Sequence, residues 1–138
     1  VMEEGIIAGV VEPTKENWTL VAETWYAAEE LERSLAAFEK AGKAADDGDI
    51  DLRRGFILVD MEDWETALQA LDQALSKGGL GDRREGEAYL LRGMAKFNLG
   101  RFDSASSDWG KAARSENTKD AARQWMNHLR EERLRRAP

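Results

Sequence analysis

The feature that most constrains this 138-residue chain is a small residue that returns in register on two series of positions. Ala22, Gly55 and Gly93 are separated by 33 and 38 residues, and Ser34, Ala67 and Ala105 by the same two intervals. Two series that keep one register describe a unit of two helices repeated three times. Units of this length bury their apolar faces only by stacking on one another. The helices themselves are legible in apolar spacing. Trp18, Val21, Ala22 and Trp25 stand at i, i+3, i+4 and i+7, the stripe of an amphipathic helix.

The clearest unit is Glu87 to Ala113, two helices joined by a tight turn at Leu99-Gly100-Arg101. In the first unit Pro13 breaks the preceding chain, Thr14 caps a helix to about Ala28, and a second runs from Leu31 to Ala44. Glu29-Glu30 carries no glycine, so the turn between them is the least defined. In the second unit Asp49 is expected as the N-cap, with Gly55 and Leu58 buried. A turn at Met61-Glu62-Asp63 leads to a helix presenting Trp64, Ala67, Leu71 and Ala74. The longer second interval falls in the glycine-rich joint Ser76 to Asp82. Asn117 or Thr118 is expected to cap a last helix whose Ala122, Trp125, Met126 and Leu129 close the open end of the stack. The expected fold class is all-α, an α-solenoid of about three antiparallel helix pairs. The divisions are 1–12 (end of a truncated preceding helix and a joint), 13–47, 48–82 and 83–117 (units), and 118–138 (capping helix and basic tail).

Tyr89, Gly93, Ala105 and Trp109 fall on the W-x2-L-G-x2-Y...A-x3-F pattern, so the chain resembles the tetratricopeptide-repeat family over about Asn17 to Asn117. That resemblance implies a peptide-binding scaffold without enzymatic activity or cofactor. The sequence departs from the pattern at several places. Arg54 and Arg92 replace its leucine, Lys96 its tyrosine and Asp51 an aromatic, and the proline after each second helix is missing. A second likeness lies in PTKENW near the start, KGGLGDRREGEAYLL in the joint and AARQW near the end. These stretches resemble the C-terminal part of bacterial repeat proteins encoded with TonB, ExbB and ExbD, which implies a periplasmic accessory role.

Charge and composition exclude several classes. Charged residues make up 34 % of the chain and the net charge is -7. Only the stretch from Lys119 onward is basic, so a nucleic-acid footprint is not expected. No apolar run reaches the roughly 20 residues of a membrane-spanning helix. Cysteine is absent, which removes disulfides and thiolate metal sites. The chain begins at Val1 without a visible signal peptide and reads as a fragment of something longer.

Candidate chemistry is sparse. His128 is the sole histidine and reads as a surface residue, and no serine is placed beside a base. Asp46, Asp47, Asp49 and Asp51 lack the glycine and glutamate positions of a calcium loop and read as a solvated joint. Gly78-Gly79-Leu80-Gly81 is followed by no Lys-Ser/Thr and is not a phosphate loop. The five tryptophans fall on core stripes.

Binding is the better reading. In a stack of this kind the first helix of each pair lines a concave groove. Counting around those helices gives Thr19, Glu23 and Tyr26, then Leu52, Phe56 and Val59, then Leu90, Met94 and Phe97 as the open rows. Glu16, Glu23, Asp49, Asp60 and Glu87 are expected on the rim, which suits a partner segment with apolar anchors and some basic character. No cationic pocket for a terminal carboxylate is expected on this face, contrary to repeat domains that clamp chaperone C-termini. The alternative is a structural or self-assembly segment that pairs through its truncated N-terminal face.

Overall fold

The chain is described by a computed structural model over residues 2–7 and 12–138. Eight helices occupy these residues: α1 (Met2–Ile7), α2 (Lys15–Ala27), α3 (Leu31–Lys43), α4 (Asp49–Asp60), α5 (Trp64–Lys77), α6 (Gly81–Asn98), α7 (Phe102–Ala112) and α8 (Lys119–Arg136). Of the truncated helix and joint expected over 1–12, the described parts are α1 and Glu12; Val1 and the stretch 8–11 lie outside the described residues.

The helices form a tetratricopeptide-type solenoid. α2 packs on α3, α4 on α5 and α6 on α7, each pair packs on the next through α3–α4 and α5–α6, and α8 closes on α6 and α7. Within each pair the small residues do what their spacing implies. A Cβ on Gly55 would lie 2.5 Å from Leu71, and one on Gly93 would lie 2.3 Å from Trp109. In the first pair Ser34, fully buried, donates to the Ala22 carbonyl at 2.8 Å, so its hydroxyl is satisfied in an apolar setting.

The three turns share one geometry although only one has glycine. In each, the left-handed residue donates three back, and the following residue donates five back. The bonds are Glu29 to Tyr26 and Glu30 to Trp25, Glu62 to Val59 and Asp63 to Leu58, and Gly100 to Phe97 and Arg101 to Lys96. This is the Schellman helix ending. Glu29, Glu62 and Gly100 hold φ of 61°, 59° and 80°, so the first turn is as well defined as the others.

Helix starts differ from expectation. Thr14 accepts the Asn17 N–H at 3.1 Å, as its sequence position suggests. Asp49 is not a cap but the first residue of α4. Gly48 holds the cap position, because any Cβ there would meet the Ala74 backbone at 2.1 Å, and Asp47 accepts the Asp49 N–H. Thr118 stands at the cap of α8 but its hydroxyl donates to the Ala112 carbonyl, while Asn117 accepts from Ser115. Thr118 thus ties the start of α8 to the end of α7, Asn117 braces the connection between them, and neither side chain caps α8.

Three apolar clusters run along the stack. The first joins Trp18, Val21 and Phe38 to Ile50 and Ile57 of α4. The second centres on Leu58, Leu71 and Ala88. The third holds Trp109 and Leu129, with Trp109 stacked on Trp125 at 5.5 Å. Trp18 and Trp109 are buried, and Trp25, Trp64 and Trp125 are partly buried against the clusters.

Candidate functional site

The spacing of the first helices is uneven, and this creates the site. α4 packs directly on α6, whereas α2 and α4 have no Cα atoms within 8 Å of one another. A cleft of about 390 Å³ opens at that gap. Tyr26 of α2 and Phe56 of α4 flank it, 47 % and 53 % exposed, over a floor of buried Phe38, Leu52 and Ile57. Leu91 of α6 completes the apolar wall.

Four of the nine expected groove residues, Glu23, Tyr26, Leu52 and Phe56, come together here. The other five do not. Thr19 turns its hydroxyl back onto the Lys15 carbonyl at 2.7 Å. Val59 is 8 % exposed in the second cluster, where α4 meets α6, so it does not form an open row. Leu90, Met94 and Phe97 pack against the third cluster, Phe97 among the rings of Phe102, Trp109, Trp125 and His128. Leu52, although it lines the cleft, is itself buried and forms floor and not an exposed contact. His128 is exposed at the edge of that aromatic group.

The cleft's charges also differ from an open acidic rim. Glu23 pairs with Arg53 at 3.1 Å, linking α2 to α4 across the opening, and Asp49 with Arg84 at 2.8 Å, linking α4 to α6 beside it. Arg53 lies over the Phe38 ring, 4.8 Å from its centroid. Two guanidinium groups therefore line a face on which no cationic pocket for a terminal carboxylate was expected, each already engaged by a carboxylate of the chain. Glu87 is the least neutralised of the acids. Its partner is Arg83 at 3.5 Å, one turn earlier on the same helix and 79 % exposed. Glu16 and Asp60 stay exposed outside the cleft.

The missed residues had a sequence signal. Asp49, Leu52, Arg53 and Phe56 stand at i, i+3, i+4 and i+7, and Arg84, Glu87 and Leu91 continue a matching stripe on α6. Charge at four of these seven positions hid the stripe. The aspartates of the α3–α4 joint are taken up locally: Asp47 caps, Asp49 pairs with Arg84, and Asp51 lies 2.8 Å from Lys77.

No protein-family profile matches the chain, and no curated protein matches its sequence. Solved structures do. The tetratricopeptide-repeat domain of Arabidopsis OM64 superposes with a TM-score of 0.72 at 19 % identity, covering 86 % of this chain and 95 % of that one. MamA superposes with a TM-score of 0.78 at 14 % identity, covering 96 % of this chain and 74 % of that one. At such identities the likeness speaks for the fold, and with the helix pairing and the small-residue contacts above it makes this chain a solenoid of the tetratricopeptide-repeat fold.

Proposed function

We propose that the chain is a protein-interaction scaffold that takes a segment of a partner protein in the cleft between α2, α4 and α6. The observation that carries this is the pair of half-exposed rings, Tyr26 and Phe56, over an apolar floor. Large side chains left exposed around a concavity favour an occupant. The weakly neutralised Glu87 beside Leu91 favours a segment that sets a basic residue next to its apolar anchor.

A selection of displayed peptides against the immobilised chain tests this. Enriched peptides should pair an aromatic or aliphatic residue with Lys or Arg, and Phe56→Lys should abolish their retention at an unchanged melting temperature. Peptides without that pattern, or equal retention by the variant, refute the reading. On the resemblance to repeat proteins encoded with TonB components, we further place the partner in the bacterial envelope, which fractionation of the native protein decides.

A self-assembly role is the alternative, favoured by Leu20, which is 52 % exposed on α2. It requires a sedimenting mass that rises with concentration in the parent and in Phe56→Lys alike. A constant monomer mass removes it.

A further inference from the structure

Arg54 and Arg92, which replace the pattern's leucine, each sit in a buried ion cluster, but the inner acid comes from different places: Asp108 from the second helix of its unit, Asp51 from the arginine's own helix. In the third unit the carboxylate of Asp108, buried to 1 %, takes two bonds from Arg92, to Nε at 2.9 Å and Nη2 at 2.8 Å, and lies 2.8 Å from Lys96. The outer edge of the guanidinium is closed by a second carboxylate, Asp72 of the preceding unit, at 3.0 Å from Nη1. Two acids meet two bases and every guanidinium nitrogen has a partner.

In the second unit the buried acid lies one turn before the arginine on α4, and its lysine comes from the end of α5. Asp51 is buried to 1 %, 2.8 Å from Lys77 and 3.4 Å from Arg54. Its arginine is poorly served. Nη1 reaches only Asp51 and Gln73, both at 3.4 Å, Nε is buried without a partner, and Nη2 bonds to nothing among the described residues. Lys77 divides its ammonium between Asp51 and the Gly42 carbonyl, to which it donates at 2.8 Å. The outer carboxylate is missing. The position that corresponds to Asp72 is Glu39, 33 residues earlier, and it is turned to Lys43 at 4.0 Å. What remains at the outer edge is a cleft of about 470 Å³, on the side of α4 away from Phe56, lined by Arg54, Lys77, Gln73 and Asp51, with Glu39 and Lys43 also in its wall and cancelling each other's charge.

We infer that this cleft is a second binding site, one that takes a carboxylate from outside the chain in the place that Asp72 fills for Arg92. One acid against two bases leaves the Asp51 cluster with a surplus positive charge. A planar, under-bonded guanidinium favours a carboxylate that can accept two parallel bonds. The carboxylate can come from a small acid, an acidic side chain or a chain terminus, and the site reads only what these share.

Titration with sodium acetate against sodium chloride at equal ionic strength, followed through the arginine Nε–Hε resonances, tests this directly. The Arg54 signal should shift saturably with acetate, while that of Arg92, already closed by its own acids, stays fixed. Gln73→Glu sets a carboxylate where the amide now reaches Nη1 and should abolish the acetate response. Arg54→Leu, which restores the repeat pattern's residue and leaves Asp51 its lysine, should weaken acetate at least about tenfold, read on the Lys77 and Gln73 amides. Glu39→Gln, by removing the nearest rival carboxylate, should leave the response intact or strengthen it. Two further arms separate the sources: a capped peptide with one glutamate, and an acid-free peptide with a free C-terminus. An Arg54 signal that stays still, that moves in step with Arg92, or that responds equally in Gln73→Glu overturns the inference.

Discussion

Glu29 and Glu62 stand with φ near +60° where the third turn has Gly100. A side chain there crowds the following carbonyl, and only glycine takes that conformation without cost. The turn was placed in the sequence by the spacing of the flanking stripes, but its tightness was not. The hydrogen bonds of the helix ending impose the angle whatever the residue. Glu62→Gly is therefore expected to stabilise the chain by about 0.5–1 kcal/mol in urea unfolding, with no gain or a loss counting against the argument. Burial makes the opposite case at Asp108. Arg92 and Lys96 converge on it with little exposure, so Asp108→Ala strands Lys96, leaves Arg92 only Asp72, and should cost about 3–5 kcal/mol. The hydrogen bond to Asp108 is the largest influence on Arg92. It raises the guanidinium pKa, burial pulls the other way, and the Asp108 charge and Asp72 add to the rise. A group whose folded pKa is raised gives its full stabilisation below its unfolded pKa and loses it only as pH climbs through the folded one. Between neutral pH and about pH 9, below the ordinary ranges of both lysine and arginine, the difference between parent and Asp108→Ala should hold constant. A steady decline over that window would contradict it.

At the scale of an element, two glycines inside helices separate backbone propensity from packing. Gly93 of α6 lies under Trp109, whose indole N–H bonds to the Leu90 carbonyl at 3.2 Å. An added methyl there must push a fully buried ring, so Gly93→Ala should destabilise by about 1–3 kcal/mol despite alanine's better helix propensity. Gly110 of α7 has nothing within 4 Å of its virtual Cβ, so Gly110→Ala should stabilise by about 0.5–1 kcal/mol. Equal effects of the two in chemical denaturation would rule out close approach as the reason for the register of small residues. That register is also why the fold was so legible: Ala22, Gly55 and Gly93 are constrained by contact, and contact repeats with the unit. The groove was less so. Which face of α4 stays open depends on the distances to α2 and α6, a relation between units that no single helix encodes. Val59 and Phe97 lie on faces of the first helices that looked open but close against neighbouring elements, while Arg53 and Arg84 look like solvent charges until α2, α4 and α6 are set side by side.

Across the whole molecule the junctions are unequal. The second and third units are joined twice, by α5 on α6 and by α4 on α6, and α8 covers the far side of the third. The first unit packs on the second only through α3 on α4, by a cluster in which Ile50 and Ile57 reach the α2–α3 side, with two added bonds, Lys77 of α5 to the Gly42 carbonyl and Glu23 to Arg53 across the open cleft. The latter joins half-exposed groups and contributes between about 0 and 1 kcal/mol. In a stack whose stability is a sum of unit and junction contributions, the weakest junction opens first. Amides of α2 and α3 are therefore expected to exchange by a local opening at lower free energy than those of α6 and α7. Ile57→Ala, which hollows out the shared cluster, should cost about 2–5 kcal/mol and accelerate α2 and α3 well before it affects α7. Native-state hydrogen exchange across the chain decides this, and uniform protection from α2 to α7 would show one cooperative block instead. The same gap that weakens the junction opens the cleft beside Tyr26 and Phe56. A segment seated there would supply the missing contact between α2 and α4, so its binding should appear first as slowed exchange in α2 and α3.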